Sequence, residues 1–170
     1  IDLPDKATAG WDHVTVHHEY GHAVMTAAYG WNRNNLPSGW GPSPHYVFSE
    51  SSLGFAVLEG WAEFMQCVVN NDPSNLADWY HEHGGNIETN DWYDCIDTGD
   101  MDGDIIEGSI ASILWDIWDP ANDDGLSLGF DEIWYIMSNN RPKSIHEFWN
   151  YWIPRYDYAQ QMWAIYYNYG

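Results

Sequence analysis

The sequence predicts a mainly α-helical fold with little sheet, and three observations carry that expectation. Stretches free of proline, with apolar residues at helical spacing, recur between turn-rich segments. These stretches close at glycine or just before Asp72-Pro73, where helices stop. Alternating strand patterns are scarce, and Tyr46 to Ser49 is the only short candidate. At 170 residues the chain can bury one core and is short for two, so residues 1–170 read as a single domain. It begins at Ile1 rather than Met, and reads as a piece of a longer protein.

The first helix is expected over residues 12–29, capped by Asp12 or Thr15 and closed at Gly30. Val14, Val16, Tyr20, Ala23, Val24, Met25 and Ala27 lie on several of its faces, which predicts a largely buried helix. Residues 31–46, punctuated by Pro37, Pro42 and Pro44, read as a long loop. A second helix spans Leu53 to Asn70. Residues 71–103 have no sustained period and read as an irregular excursion, with a short helix near Leu76 to His81. A third helix from about Asp104 to Trp118 sets Gly108, Ala111 and Ser112 against Ile110, Ile113, Leu114 and Ile117, which suits tight packing. Helical spacing returns at Phe130 to Met137 and again after Ser144, where Ser144 and Glu147 have capping-box separation. A last aromatic helix is expected over Tyr158 to Tyr167.

Composition narrows the function classes. With 26 acidic and 5 basic residues, formally −21, the chain has nothing with which to neutralise a row of phosphates, which argues against nucleic acid. Divalent cations and neutral or cationic substrates suit that field. No apolar run approaches the ~18 residues of a membrane span, so no membrane insertion is expected in this segment. Twelve Trp and twelve Tyr supply enough burial for a sizeable core, which argues against disorder. Cys67 and Cys95 are compatible with one disulfide or with two buried thiols. Few Lys and many Asn, Asp, Trp and Tyr lean towards an extracellular or cell-surface protein.

His18-Glu19-Tyr20-Gly21-His22 is an HExxH sequence. Helix positions four apart stand above one another, so both imidazoles can share one metal with Glu19 beside it. Neutral imidazole suits zinc, which lowers the pKa of a bound water to roughly 7. Glu19 is then the general base that takes that water's proton and passes it to the leaving group. By chance alone two His and a Glu can fall at this spacing, but burying them unpaired in an otherwise apolar helix would be costly. A catalytic zinc also needs a third protein ligand. The extended pattern HExxHxxGxxH is excluded, because Met25 and Ala28 occupy its glycine and last-ligand positions. The other known arrangement takes a carboxylate from a following helix. Leu58-Glu59-Gly60-Trp61-Ala62-Glu63-Phe64 supplies it, with Glu59 for the metal and Glu63 one turn later to accept the outer N–H of a ligating histidine. The plainer reading makes Glu59, Glu63, Gln66 and Asn70 the wet stripe of an amphipathic helix. Gly60 is expected to let the two metal-sharing helices approach closely.

HEYGH followed by EGWAEF resembles the gluzincin metallopeptidases, and looks most like their fungalysin and thermolysin side. Glu107 to Trp115, EGSIASILW, is similar to the helix that lines the floor of the fungalysin site, and the three segments cover the first two thirds of the chain. The resemblance implies a zincin-like catalytic domain built from an active-site helix and a helical carboxy-terminal subdomain. It also implies a zinc metalloendopeptidase acting on peptide or protein substrates. Two departures stand out. Only about seventeen residues precede the motif, so the upstream sheet that holds the substrate in those families is absent or outside this segment. The histidine that helps stabilise the oxyanion there has no match near Ile105 to Gly108. His81, His83, Tyr93 and His146 are candidate replacements, and none is preferred.

Asp97, Asp100, Asp102 and Asp104, within CIDTGDMDGD, offer hard oxygen ligands for calcium or form a solvated acidic loop. Glu107 either reaches towards the metal site or favours the dipole at its helix start. Two readings compete with the hydrolase: a catalytically inactive, zinc-containing surface or binding module, and a structural helical domain in which the motif is accidental.

Overall fold

The computed structural model describes residues 13–76, 85–89, 103–121 and 126–155. Among them are five α-helices and no strand. They are α1 (His13–Ala28), α2 (Leu53–Asn70), α3 (Glu107–Trp118), α4 (Phe130–Asn139) and α5 (Ile145–Trp152). The expected helices near Leu76 to His81 and over Tyr158 to Tyr167 fall wholly or mostly outside the described residues, as do Asp12 and Cys95.

The boundaries follow local chemistry. α1 unwinds through Gly30 and Trp31, both at positive φ, with the Trp31 N–H returning to the Thr26 carbonyl at 2.9 Å. α2 ends at Asn71, whose left-handed backbone lets Asp72 N–H reach the Cys67 carbonyl at 3.1 Å before Pro73. α5 starts as the capping-box spacing predicts. Ser144 Oγ accepts from Glu147 N–H at 3.1 Å, and the Glu147 carboxylate reaches back to Lys143 N–H at 2.8 Å.

α2 is the central element, packed between α1 and α3, while α4 touches both of those helices and α5 docks on α4. Its apolar side carries Trp61 and Phe64, both fully buried, into an aromatic cluster with Phe130 and Trp134 of α4. The Trp61 indole N–H donates to the Gly21 carbonyl of α1 at 3.0 Å, so the ring that fills the core also fixes α1 on α2. The Cys67 thiol is buried and turned to the carbonyls of Pro73 and Asn75; its pairing with Cys95 lies outside the described residues.

Three expectations change. α1 is not largely buried: Val14, Gly21, Met25 and Ala28 face the core, while Val16 and Tyr20 are exposed. Its apolar residues exceed one face, and only the face towards α2 and α4 has partners. Tyr46 to Ser49 is a turn, closed by Ser49 N–H on the Tyr46 carbonyl at 2.7 Å, and among the described residues β-pairing shrinks to one bridge between Glu50 and Ile106. Gly60 faces α3, where a Cβ would stand 2.5 Å from the Glu107 carbonyl oxygen and 2.6 Å from Ile110 Cβ. The close approach of α1 to α2 occurs instead at Gly21, where a Cβ would stand 2.9 Å from Ala62 Cα.

Candidate metal centre

α1 and α2 run antiparallel, with the polar residues of α2 turned to the histidines of α1. Asn70 Nδ2 lies 3.1 Å from His17 Nδ1, Glu63 Oε1 lies 3.5 Å from His18 Nδ1, and Glu59 Oε2 lies 3.2 Å from His22 Nε2. The stripe of Glu59, Glu63, Gln66 and Asn70 is therefore an inter-helix seam, buried at Glu59 and Gln66 and reaching solvent at Asn70. Gln66 Nε2 donates to Glu63 Oε2, holding that carboxylate in place.

The geometry converges on a single oxygen. Glu59 Oε2 is 3.3 Å from His18 Nε2 and 3.2 Å from His22 Nε2. Each of the three residues offers a ligand atom within 4.8 Å of the other two. Ligands around a tetrahedral zinc with bonds of 2.0–2.1 Å stand about 3.3–3.4 Å apart, so these two separations are compatible with a shared zinc ion. Two imidazoles and one carboxylate form a donor set that fits zinc. Both imidazoles retain some exposure, at 16% and 25% of the side chain, so the group opens to solvent on the histidine side. Glu19, beside His18 on α1, is half-buried.

The electrostatics of the metal-free group match this arrangement. Burial alone would depress His18, but the hydrogen bond to Glu59 and the charge of Glu63 outweigh it and push the imidazole up to about 9. Burial alone would raise Glu59; its hydrogen bonds to His18 and His22 outweigh that and hold it well below the usual carboxylate range. Glu63 is raised, chiefly by burial.

A second pair flanks the group. The Gly108 N–H at the start of α3 donates to the Val47 carbonyl at 2.7 Å, and Ser51 N–H donates to the Ile105 carbonyl at 2.9 Å. These bonds pin the loop after α1 against α3 and bring His45 to Glu107, with His45 Nδ1 3.1 and 3.3 Å from the two carboxylate oxygens. Glu107 is 2% exposed, and burial, partly offset by the His45 hydrogen bond, pushes it up to about 7. Glu107 reaches inward, towards Glu59, and also stands in the first turn of α3, so both roles weighed for it are compatible with its position. His45 went unnoticed in the sequence because it lies in an aperiodic loop, 62 residues from its partner.

Of the candidate oxyanion donors, His81, His83 and Tyr93 lie outside the described residues, as do Asp97, Asp100 and Asp102. Asp104 and His146 are described, and they pair with each other at 2.7 Å. Among the described residues no helix is long and apolar enough to cross a membrane.

Comparison with known families places residues 3–167 on the model described as the Mycolysin C-terminal domain. The chain belongs to that family, which relates it to the gluzincins and associates it with metalloproteases. No match was found among curated proteins or among solved structures.

Proposed function

We propose, from the premise that the chain is a member of the mycolysin C-terminal domain family, that it hydrolyses peptide bonds as a zinc-dependent metalloendopeptidase. His18, His22 and Glu59 are the zinc ligands in this reading. The observation that supports it is the meeting of two imidazole nitrogens on one Glu59 oxygen at 3.3 and 3.2 Å. Zinc, when bound, supplies Lewis acidity to a scissile carbonyl and acidifies water to near neutrality.

The side chains do the rest. Glu19 accepts the proton of the attacking water and delivers it to the leaving amine. Glu63, 3.5 Å from His18 Nδ1, takes that outer N–H, which fixes the tautomer and leaves Nε2 as the donor. Glu59 comes from a helix locked to α1 by the Trp61–Gly21 hydrogen bond, so the carboxylate is held before any cation arrives. The substrate is a peptide or protein, and the setting is extracellular.

Glu19→Gln tests the reading. The variant is expected to keep its zinc, measured by elemental analysis, and to lose about 10²–10⁴-fold in kcat. Undiminished hydrolysis would remove Glu19 from the mechanism. A second reading draws on the family description, which names a carboxy-terminal domain and no activity: a zinc-containing binding module without turnover. Stoichiometric zinc together with no cleavage of a diverse peptide library, tested on the full-length protein, favours that module.

A further inference from the structure

Building on the zinc reading above, we propose that the chain holds a second divalent cation beside the first, on His45 and Glu107, with Glu59 shared between the two. His45, Glu59 and Glu107 each offer one ligand atom within 4.8 Å of the other two, the same criterion that His18, His22 and Glu59 meet. The donors come from three elements: the loop after α1, the middle of α2 and the first turn of α3. That loop is tied to α3 by the Gly108–Val47 and Ser51–Ile105 hydrogen bonds, so the His45 and Glu107 donors are held together without any ion.

A simple ion pair explains this group less well. Glu107 is 2% exposed, and among the described residues both of its oxygens share one hydrogen-bond partner, His45 Nδ1, at 3.1 and 3.3 Å. One N–H divided between two buried oxygens leaves most of their acceptor capacity unused, which is costly away from water. A cation satisfies it. The His45–Glu107 separation is also compatible with neighbouring ligands on one zinc ion, which stand about 3.3 Å apart for bonds of 2.0–2.1 Å. The placement points the same way, because the buried carboxylates of Glu59 and Glu107 stand close together, and a cation between them satisfies both.

The donor types select the cation. One imidazole and two carboxylates suit zinc or another first-row divalent ion, whereas calcium and magnesium prefer all-oxygen shells. A carboxylate shared by two such ions sets them about 3.5–4 Å apart, the arrangement that two-metal hydrolases use to hold attacking and leaving oxygens.

The test is a titration of the chelator-stripped full chain with zinc under equilibrium dialysis, reading bound metal by elemental analysis. The wild type is expected to saturate at two zinc ions per chain, and His45→Gln at one. His45 is on a loop with a 35% exposed side chain, and a far-ultraviolet spectrum matching the wild type verifies the fold of the variant. Saturation of the wild type at one ion overturns the second site and leaves the catalytic reading standing, whatever the variant does. Two ions in a folded His45→Gln also overturn it. No bound zinc in the wild type overturns both.

Discussion

Glu59 Oε2 is the atom on which the proposed chemistry turns, because both HExxH imidazoles address it at hydrogen-bond range. In the metal-free chain the hydrogen bond to Glu59 and the charge of Glu63 hold His18 up at about 9. Two consequences follow, both with definite sign. A histidine raised from 6.5 to about 9 stabilises the metal-free fold fully below pH 6.5, and that contribution is lost as the pH climbs through about 9. Zinc needs the neutral ring, so its apparent affinity should rise about tenfold per pH unit between pH 6.5 and 9 and level off above. Chelator competition across that range measures the slope; an affinity independent of pH would contradict the His18 assignment. At this scale the meeting of His18 and His22 with Glu59 and Glu63 was legible in the sequence, because helix geometry fixes which side chains four apart share a face. His45 was not: a loop residue has no period, and its meeting with Glu107 depends on backbone hydrogen bonds between distant segments. Its one available signal was a histidine in a Pro-rich loop leading into the EGWAEF helix.

At the scale of elements, α2 was legible to both ends, because an Asn able to adopt the left-handed backbone followed by Asp-Pro is a strong stop. Burial was harder. Apolar residues all round α1 suggested a buried helix, yet one flank faces outward, since spacing cannot say how many neighbours a helix has. The seam on α2 carried the opposite ambiguity, polar in sequence and buried in the fold, and only the HExxH partner resolved it. Gly60 shows a third kind of limit: the need for a close approach was visible, but the approaching helix is α3 and not α1. Gly60→Ala is therefore expected to destabilise by about 1–3 kcal/mol, as overpacking does. An ordinary helical glycine would give the reverse, a gain of about 0.5–1 kcal/mol. Urea denaturation decides between them by the sign of the midpoint shift. The same substitution pushes Glu107 away from Glu59, so it should weaken metal uptake as well.

On the scale of the molecule, the acidic surplus of 26 against 5 makes cation binding a structural matter as well as a catalytic one. In the proposed reading a metal joins α1 to α2 across their seam, and a ligand that binds only the folded state stabilises it by mass action, about 2.7 kcal/mol at a hundredfold excess over Kd. Thermal melting with and without a chelator should show that difference, and identical melting curves would mean that the histidine–glutamate group takes up no ion. The mainly α architecture was legible because the helices are long and proline-delimited, while the single bridge between Glu50 and Ile106 is too short to leave a pattern.

The most direct measurement is an anomalous difference map at the zinc edge from crystals of the zinc-loaded chain. One peak within about 2.0–2.2 Å of His18 Nε2, His22 Nε2 and a Glu59 carboxylate oxygen is the predicted result. A zinc peak bound elsewhere, with Glu59 out of bonding range of the two histidines, would contradict it.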